Sequence, residues 1–380
     1  MTIRCLVIGW FGYNNIGDEL LLHSFLTSLK DNSLDVVAVS ANCQQTERIH
    51  GVKSIPTDWS ILKNLIKSDA IVFGGGQIFS DRRIRTIPLW ASFLCIARVL
   101  NSDCKVLLLN QGFEAQNTVL RKMLRLSLSK ADFISVRDSD SLNIVGGLGL
   151  DVPVSFGPDM VFSLSVDKKA ISAHQSEPAE KTIGINIRPF FWWAHNFGFG
   201  LSEKVLASVL DRLIEQRNVK IVFVPFRLSG KEGYSDQEAS EAVISKMKHK
   251  QRANIFVCPL DETLFSSIEA CYNTFDFFIG TALHSLILSC KLDIPFIALP
   301  YQKKCEMLMN DLGLKDFTVN PTELLSKDLF FARILRAFDE RHETKASLSS
   351  LSKELSASSK KAHLASISLP KVFATEKAEK

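Results

Sequence analysis

What this 380-residue chain lacks excludes several classes of protein. Its net charge is only +4, and its basic residues form no single block, which argues against nucleic acid as a partner. Its eight cysteines form no C-x-x-C pair and no cluster with histidine, so we expect reduced core cysteines and no structural zinc. The longest apolar stretch, Ile87–Leu100, contains a proline and an arginine and is too short to span a bilayer.

The start of the chain shows no signal peptide. The apolar run in Met1–Gly9 is too short for one and leads directly into a glycine turn, so we expect a cytoplasmic protein. Hydrophobic residues make up 46% and charged residues 23%, a mix typical of a globular protein with large cores. The mild positive charge favours an anionic small molecule or an anionic membrane surface as a partner.

Short apolar runs alternate with amphipathic segments, which predicts βαβ units and parallel sheets in two halves. The predicted strands are Arg4–Ile8, Asp35–Val39, Ala70–Phe73, Lys105–Leu109, Phe133–Val136, Thr182–Ile187, Lys220–Val224, Asn254–Cys258, Phe275–Ile279 and Ile294–Leu299. The stretch Asp167–Lys181 breaks the periodicity and is the predicted linker. We therefore predict an α/β protein with an N-terminal Rossmann-like domain (1–166), a C-terminal one (182–340) and a terminal helix or tail (341–380).

The first segment that can carry chemistry is Gly9–Leu20, directly after the first strand. Its glycines permit close approach of a ligand or a tight turn, but their spacing is not that of a dinucleotide fingerprint. Asp18 and Glu19 open the following helix, where carboxylates suit the helix dipole but repel phosphate. We expect sugar hydroxyls or no ligand here, and only a capping role for Glu19.

Two further segments belong to the first half. Gly74–Gly76 is predicted to end the third strand, and three glycines together permit either a ligand or a crowded neighbouring backbone to come close. Arg137 ends a later strand. Its planar guanidinium can bind a phosphate or carboxylate, or it can pair with Asp138 or Asp159 to fix the loop, which is the favoured interpretation.

In the second half, Arg188 follows the first predicted strand, so we expect it to face a ligand. The aromatic run Phe190–Trp193 then either packs in the core, stacks on a sugar or touches a membrane-borne lipid. Adjacent Trp192 and Trp193 cannot both face one core if the chain is extended there.

The segment Phe275–Ser289 predicts a buried strand, a turn at Gly280 and a helix with Thr281 as N-cap. His284 falls in the first helical turn, beside backbone N–H groups and the positive end of the helix dipole, where it can help to bind an anion. The alternative is a histidine that only closes a helix start. Lys304, after the next strand, is a point charge suited to phosphate or a solvated surface residue.

Together these segments resemble the polysaccharide pyruvyl transferase family, over roughly residues 3–320, in order and with compatible spacing. The elements that match the family pattern are Gly12–Glu19, Gly74–Gly76, Arg137-Asp138, Pro158-Asp159, Ala282-Leu283-His284, and Tyr301 with Lys304. One position departs from the pattern: Ala282 stands where the family has arginine.

The resemblance implies a GT-B-like fold, in which two Rossmann-like domains face a central cleft. It also implies phosphoenolpyruvate as donor, with no cofactor and no metal. The implied acceptor is a sugar of a surface polysaccharide or of its lipid-linked precursor, which adds a peripheral contact at the inner face of the membrane. The product is a pyruvate ketal or an enolpyruvyl sugar.

Each candidate residue receives a role on this basis. The predicted catalytic residues are His284 as general acid and Asp18, which orients or deprotonates the acceptor. The predicted donor-binding residues are Arg188, Lys304, Thr281, Ala282, Ser285, Tyr301 and Arg137. The predicted acceptor-binding residues are Gly12, Asn14, Asn15, Gly74, Gly75, Gly76, Gln77, Trp192 and Trp193.

Two alternatives stay open. A nucleotide-sugar glycosyltransferase shares the predicted architecture, so the fold cannot separate the two activities. A non-catalytic or weakened member that binds glycan or donor also fits, because Ala282 removes an expected cation. The oligomeric state is open.

Overall fold

The computed structural model describes residues 3–29, 34–80, 86–115, 117–166, 180–198, 201–228 and 235–367, with backbone alone at 86–87, 303–304 and 363–367. The chain forms two compact units. The first unit contains the residues up to Tyr13, then Asp18–Leu164 and those from Ser356 onward; the second contains Asn14–Gly17 and Ser165–Leu355. Most of the predicted linker, from Asp167 to Ala179, lies outside the described residues, as does the tail beyond Ile367.

The first unit is built on a seven-stranded parallel sheet. Its strands are β1 (Ile3–Phe11), β2 (Leu34–Ser40), β3 (Lys53–Pro56), β4 (Ala70–Ser80), β5 (Lys105–Glu114), β6 (Phe133–Val136) and β7 (Val154–Phe156). Its helices are α1 (Ile16–Ser28), α2 (Cys43–His50), α3 (Ser60–Lys67), α4 (Thr86–Leu100), α5 (Thr118–Leu128) and α6 (Ser139–Gly146). The strand order is β3-β2-β1-β4-β5-β6-β7. Central strands are buried on both faces, as expected for a parallel sheet covered by helices.

The second unit is built on a five-stranded parallel sheet with the order β10-β9-β8-β11-β12. Its strands are β8 (Lys181–Asn186), β9 (Val219–Phe223), β10 (Ala253–Ile255), β11 (Phe277–Gly280) and β12 (Phe296–Ala298). The helices from here to the end of the described chain are α7 (Phe191–Phe197), α8 (Glu203–Arg217), α9 (Asp236–Lys246), α10 (Leu264–Tyr272), α11 (Leu283–Lys291), α12 (Lys303–Asp311), α13 (Lys327–Asp339) and α14 (Arg341–Ile367).

The predicted α/β class with parallel sheets is confirmed. Two short edge strands, β3 and β7, were not predicted, because their sequences have no continuous apolar run. The prediction that a strand ends at Gly74 was wrong, since β4 continues through the glycines and pairs with β5 as far as Ser80. The aromatic run Phe190–Trp193 is not extended but leads into helix α7. No helix among the described residues is long and apolar enough to cross a membrane.

Candidate active site

Strands β8 and β11 are neighbours, and Asn186 at the end of β8 connects the loops that follow them. Its side chain is fully buried. Oδ1 accepts hydrogen bonds from the Ala282 N–H (2.9 Å) and from the Thr281 hydroxyl (3.0 Å). The predicted N-cap, Thr281, was misplaced by one residue: Ala282 is the N-cap of α11 and has no side-chain cap, and Asn186 binds the N–H of Ala282 itself.

The same amide joins a buried ion pair. Asn186 Nδ2 donates to Asp236 Oδ2 (3.1 Å), and the N–H groups of Phe226 and Arg227 donate to that oxygen at 3.1 and 3.0 Å. Arg188 Nη1 donates to Asp236 Oδ1 at 3.0 Å. Since the Asp236 side chain is fully buried, the Arg188 guanidinium provides the charge that offsets it.

Tyr301 extends this network. Arg188 makes a side-chain hydrogen bond to Tyr301, while burial raises the pKa of the tyrosine to about 12. The phenol is therefore a neutral partner across the physiological pH range. The predicted donor residues Arg188, Thr281 and Tyr301 thus lie in one hydrogen-bond network, together with Asn186 and Asp236, which the sequence analysis did not select.

His284 is the second residue of α11 and is partly buried. Gly17 packs against its ring: a Cβ added at Gly17 would lie 2.1 Å from His284 Nδ1, so only glycine fits without displacing the imidazole. Backbone hydrogen bonds hold this part of the chain, from the Ile16 N–H to the Phe226 carbonyl (2.9 Å) and from the Leu228 N–H to the Asn14 carbonyl (2.9 Å).

These bonds change the position expected for two candidate acceptor residues. Asn14 and Asn15 were placed in the N-terminal domain, whereas segment Asn14–Gly17 belongs to the second unit. Asn14 has a left-handed backbone (φ 57°), and Asn15 forms an isolated antiparallel bridge with Arg227. The family-type motif at Gly12–Glu19 is therefore split: Asn14–Gly17 belongs to the second unit with His284, and the residues on either side of it belong to the first.

Several candidates are more buried than expected. Thr281, Ala282 and Ser285 have relative exposures of 1%, 3% and 0%, and the Ser285 hydroxyl donates to the Ala282 carbonyl (2.6 Å). Trp193 is fully buried, with its indole N–H bonded to the Pro300 carbonyl (3.1 Å), so its ring has no surface for a sugar. The side chain of Lys304 lies outside the described residues.

Trp192 remains partly exposed, and its ring meets Tyr301 edge to face, with ring centroids 6.5 Å apart. The two tryptophans diverge because α7 turns successive side chains by about 100°. Of the aromatic pair, Trp192 alone remains a candidate for stacking on a sugar.

In the first unit, Glu19 fixes the turn at Gly12. The Gly12 N–H donates to Glu19 Oε1 (2.9 Å), and the other carboxylate oxygen lies 2.7 Å from His50 Nε2. Both side chains of the Glu19–His50 pair are fully buried. Glu19 therefore does more than cap α1, because it ties the left-handed turn at Gly12 (φ +75°) to the end of α2. No sequence signal relates His50 to this motif.

The triple glycine lies beside the start of α1. Gly75 has φ +74°, and a Cβ there would lie 2.9 Å from Leu21 Cδ2, while a Cβ at Gly76 (φ +86°) would lie 3.8 Å from Asp18 Oδ1. The left-handed backbone and the Leu21 contact explain why glycine stands at position 75, without a ligand. Gly76 and Asp18, two of the predicted acceptor-side residues, are nevertheless neighbours. Gln77 follows in β4 and is partly exposed.

Arg137 pairs with aspartates, as in the interpretation that it fixes the loop after its strand. Its Nη1 donates to Asp159 Oδ2 (3.0 Å), and Asp138 Oδ2 is 3.8 Å from its Nε. Arg137 is 9% exposed and Asp159 is fully buried. It lies in the first unit. Its predicted contact with the donor stays a prediction.

Comparison with known proteins agrees with the sequence elements. A family model described as polysaccharide pyruvyl transferase matches residues 15–303, about three quarters of the chain. No curated protein sequence matches.

Solved structures with the same architecture include a glycosyltransferase from Rickettsia africae ESF-5 (12% identity, TM-score 0.61, covering 97% of this chain and 98% of that one). A UDP-GlcNAc 2-epimerase from Neisseria meningitidis bound to UDP-GlcNAc is similar at 11% identity and TM-score 0.60, covering 97% of this chain and all of that one. The UDP-GlcNAc 2-epimerase from Methanocaldococcus jannaschii is similar at 11% identity and TM-score 0.54, covering 88% of this chain and 92% of that one. At such identities the likeness establishes the GT-B-like fold alone.

Proposed function

Because the chain belongs to the polysaccharide pyruvyl transferase family, we propose that it transfers a pyruvyl group from phosphoenolpyruvate to a polysaccharide sugar. The acceptor is a sugar of a surface polysaccharide or of its lipid-linked precursor, and the product is a pyruvate ketal. A lipid-linked acceptor would place the reaction at the cytoplasmic face of a membrane. Neither a cofactor nor a metal is part of this proposal.

The observation that carries the proposal is the contact between Gly17 and His284, two residues of the family elements that lie far apart in sequence. It brings the glycine motif to an imidazole at a helix N-terminus, where N–H groups and the helix dipole favour an anion. His284 is also the second residue of the helix whose N-cap, Ala282, donates its N–H to Asn186, and Asn186 bonds to the Asp236 carboxylate that pairs with Arg188.

The donor carries a phosphate and a carboxylate, so the charges around it decide its binding. Asp236 offsets the charge of Arg188. This arginine therefore adds less to the positive potential around the donor than an unpaired arginine would. A guanidinium has five N–H donors in a planar fork, so Arg188 can bridge Asp236 and a donor carboxylate together. We assign the phosphate to the N-terminus of α11, with Lys304 as the second cation.

His284 is proposed to protonate the methylene carbon of phosphoenolpyruvate, which creates an oxocarbenium-like centre at C2. A sugar hydroxyl adds to that carbon and loses its proton, with Asp18 as the proposed base. The C–O bond to phosphate then breaks and phosphate leaves with the bonding electrons. A second hydroxyl adds to the same carbon and gives its proton to His284, which closes the ketal and restores the acid. One phosphate is released for each ketal formed.

The direct test is phosphate release from phosphoenolpyruvate by the purified protein with a panel of sugar acceptors. We expect release that depends on the acceptor, a product heavier by one pyruvyl unit, and loss of activity in His284→Gln. A matched control is His249→Gln, since this histidine pairs with Glu215 on the surface. Nucleotide release from sugar nucleotides would instead identify a glycosyltransferase, and donor binding without turnover would identify a non-catalytic member.

A further inference from the structure

Helix α4 of the first unit is apolar on the side that faces solvent. Its inner side contributes Trp90 and Leu94 to the core. Its outer side exposes Leu89 (48%), Ile96 (38%), Val99 (85%) and Leu100 (44%). Leu89, Ile96 and Leu100 follow helical spacing and form one stripe. A surface helix normally carries polar residues there, so an apolar stripe indicates a surface that is covered by a partner.

The neighbouring helices enlarge this apolar surface. Helix α4 contacts both α3 and α5. The exposed apolar side chains that they add are Trp59 (83%), just before α3, Ile66 (52%), Val119 (63%) and Leu126 (63%). We call this surface the α3–α5 face; it consists of these four residues, Leu89, Ile96, Val99 and Leu100, and the basic residues of the same helices.

The helices of the α3–α5 face carry only basic charges, although the exposed Asp58 precedes Trp59 at its border. Across the whole chain, 45 Lys and Arg are almost balanced by 41 Asp and Glu. The three helices α3, α4 and α5 contain no Asp or Glu, and their basic residues are Lys63, Lys67, Arg98, Arg121, Lys122 and Arg125. Arg98 pairs with Asp132, whereas the other five basic side chains are exposed.

We propose that the α3–α5 face docks on the surface of an anionic phospholipid membrane. Its apolar side chains enter the boundary between headgroups and acyl chains, and its lysines and arginines meet the lipid phosphates. Their aliphatic stems add to the apolar contact, because long basic side chains can bury their stems and keep the charge in water. This docking is peripheral and involves none of the residues proposed for the pyruvyl transfer.

Charge complementarity selects this occupant over a second copy of the chain. A symmetric dimer through the same surface would place the basic side chains of both copies against each other, which is unfavourable at low ionic strength. An anionic bilayer presents the opposite sign over a broad area and accepts apolar side chains as well.

The test is sedimentation of the full chain with vesicles of phosphatidylglycerol and phosphatidylcholine at 50 mM salt. We expect binding to vesicles rich in phosphatidylglycerol, at least tenfold weaker binding to pure phosphatidylcholine, and weakening as the salt concentration rises. No donor or acceptor is present, so the result does not depend on whether the chain transfers pyruvyl groups.

Two double variants separate this surface from general effects of charge. Val99→Glu with Leu126→Glu is expected to lower vesicle binding tenfold or more. The matched control is Leu325→Glu with Leu329→Glu, which changes the net charge equally at leucines that are 63% and 59% exposed elsewhere. This control is expected to bind like the parent chain, and thermal melts verify that both variants fold.

Three results would overturn the proposal. One is no binding of the parent chain to anionic vesicles, and another is equal loss in the two double variants. The third is a dimer in sedimentation velocity that Val99→Glu with Leu126→Glu converts to monomer, because the α3–α5 face would then be an interface between copies.

Discussion

At the scale of single residues, the tightest constraint is the contact of Gly17 with His284. Gly17→Ala should displace the imidazole because the new methyl group has no space beside Nδ1. We expect kcat to fall about tenfold or more with a smaller change in stability, because a displaced catalytic group loses its geometry before the fold is lost.

The matched control for this substitution is Gly146→Ala, at the end of α6, where an added Cβ meets no atom within 4 Å. It should leave both kcat and Tm almost unchanged. Steady-state phosphate release checks both variants. An unchanged kcat in Gly17→Ala would separate this contact from catalysis.

Arg188 is expected to affect both the fold and donor binding. Arg188→Ala leaves the buried Asp236 carboxylate without its cation, which costs about 3 kcal/mol of stability. We also expect donor affinity to fall by about 2 kcal/mol, measured by calorimetry below the new Tm. Arg217→Ala, which breaks a surface pair with Asp339, should change neither quantity by more than about 1 kcal/mol. Unaltered affinity in a folded Arg188→Ala protein would remove Arg188 from the donor site.

The triple glycine shows how far residue-level reasoning from sequence reaches. The sequence marks the glycines as unusual and predicts that either a ligand or a crowded neighbouring backbone comes close to them. Their reason became visible only with the path of β4 and the position of Leu21. Gly75→Val consequently cannot distinguish acceptor binding from folding, since valine at φ +74° is strained in any case.

At the scale of elements, α11 concentrates the proposed donor chemistry at one N-terminus. Ala282→Arg would restore the cation of the family pattern, and we expect kcat/KM for phosphoenolpyruvate to rise about tenfold or more. Because Ala282 is only 3% exposed, the new side chain should also lower the Tm, and phosphoenolpyruvate should reverse that loss.

The control for added charge is Ala332→Arg, at an exposed position of α13, which should leave kcat/KM unchanged. Thermal melts with and without phosphoenolpyruvate accompany the kinetics. If Ala282→Arg left both kcat/KM and the donor-dependent Tm unchanged, another group would already supply the cation.

Elements with strong apolar periodicity could be predicted from sequence, while the partners of polar residues could not. Each buried strand core, such as Cys5–Ile8 in β1, is marked by adjacent apolar residues. The bonds of Asn186 to Ala282 and of Glu19 to His50 join residues that are distant in sequence and carry no local pattern. The sequence therefore selected His284 and Arg188 as candidates, but not Asp236, which pairs with Arg188, or Asn186, which bonds to Asp236.

At the scale of the whole molecule, buried thiols predict a loss of stability at high pH. Burial raises the pKa of Cys5, Cys104 and Cys258 from 9.0 to about 12. Below pH 9 these thiols are protonated in both the folded and the unfolded chain, so their ionisation does not change the free energy of unfolding. Above it the unfolded chain ionises first, so stability falls as the pH rises toward 12.

Urea unfolding at pH 8, 9.5 and 11 measures this effect. Each thiol should lower the free energy of unfolding by about 1.4 kcal/mol per pH unit in that range. Cys258→Ala should reduce the slope, and Cys43→Ser, at a partly exposed position, should not. A free energy of unfolding that stays level from pH 8 to 11 would contradict this account.

The division of the chain between its two units has a consequence for biosynthesis. Residues Asn14–Gly17 are translated about 200 residues before the backbone that they bond to, at Phe226 and Leu228. In the first unit, the Asp159 carbonyl likewise accepts a hydrogen bond from Ser359, which follows it by 200 residues. The contacts of Asn14–Gly17 in the second unit therefore form only after Leu228 has been translated, and the contact of Asp159 in the first unit only after Ser359.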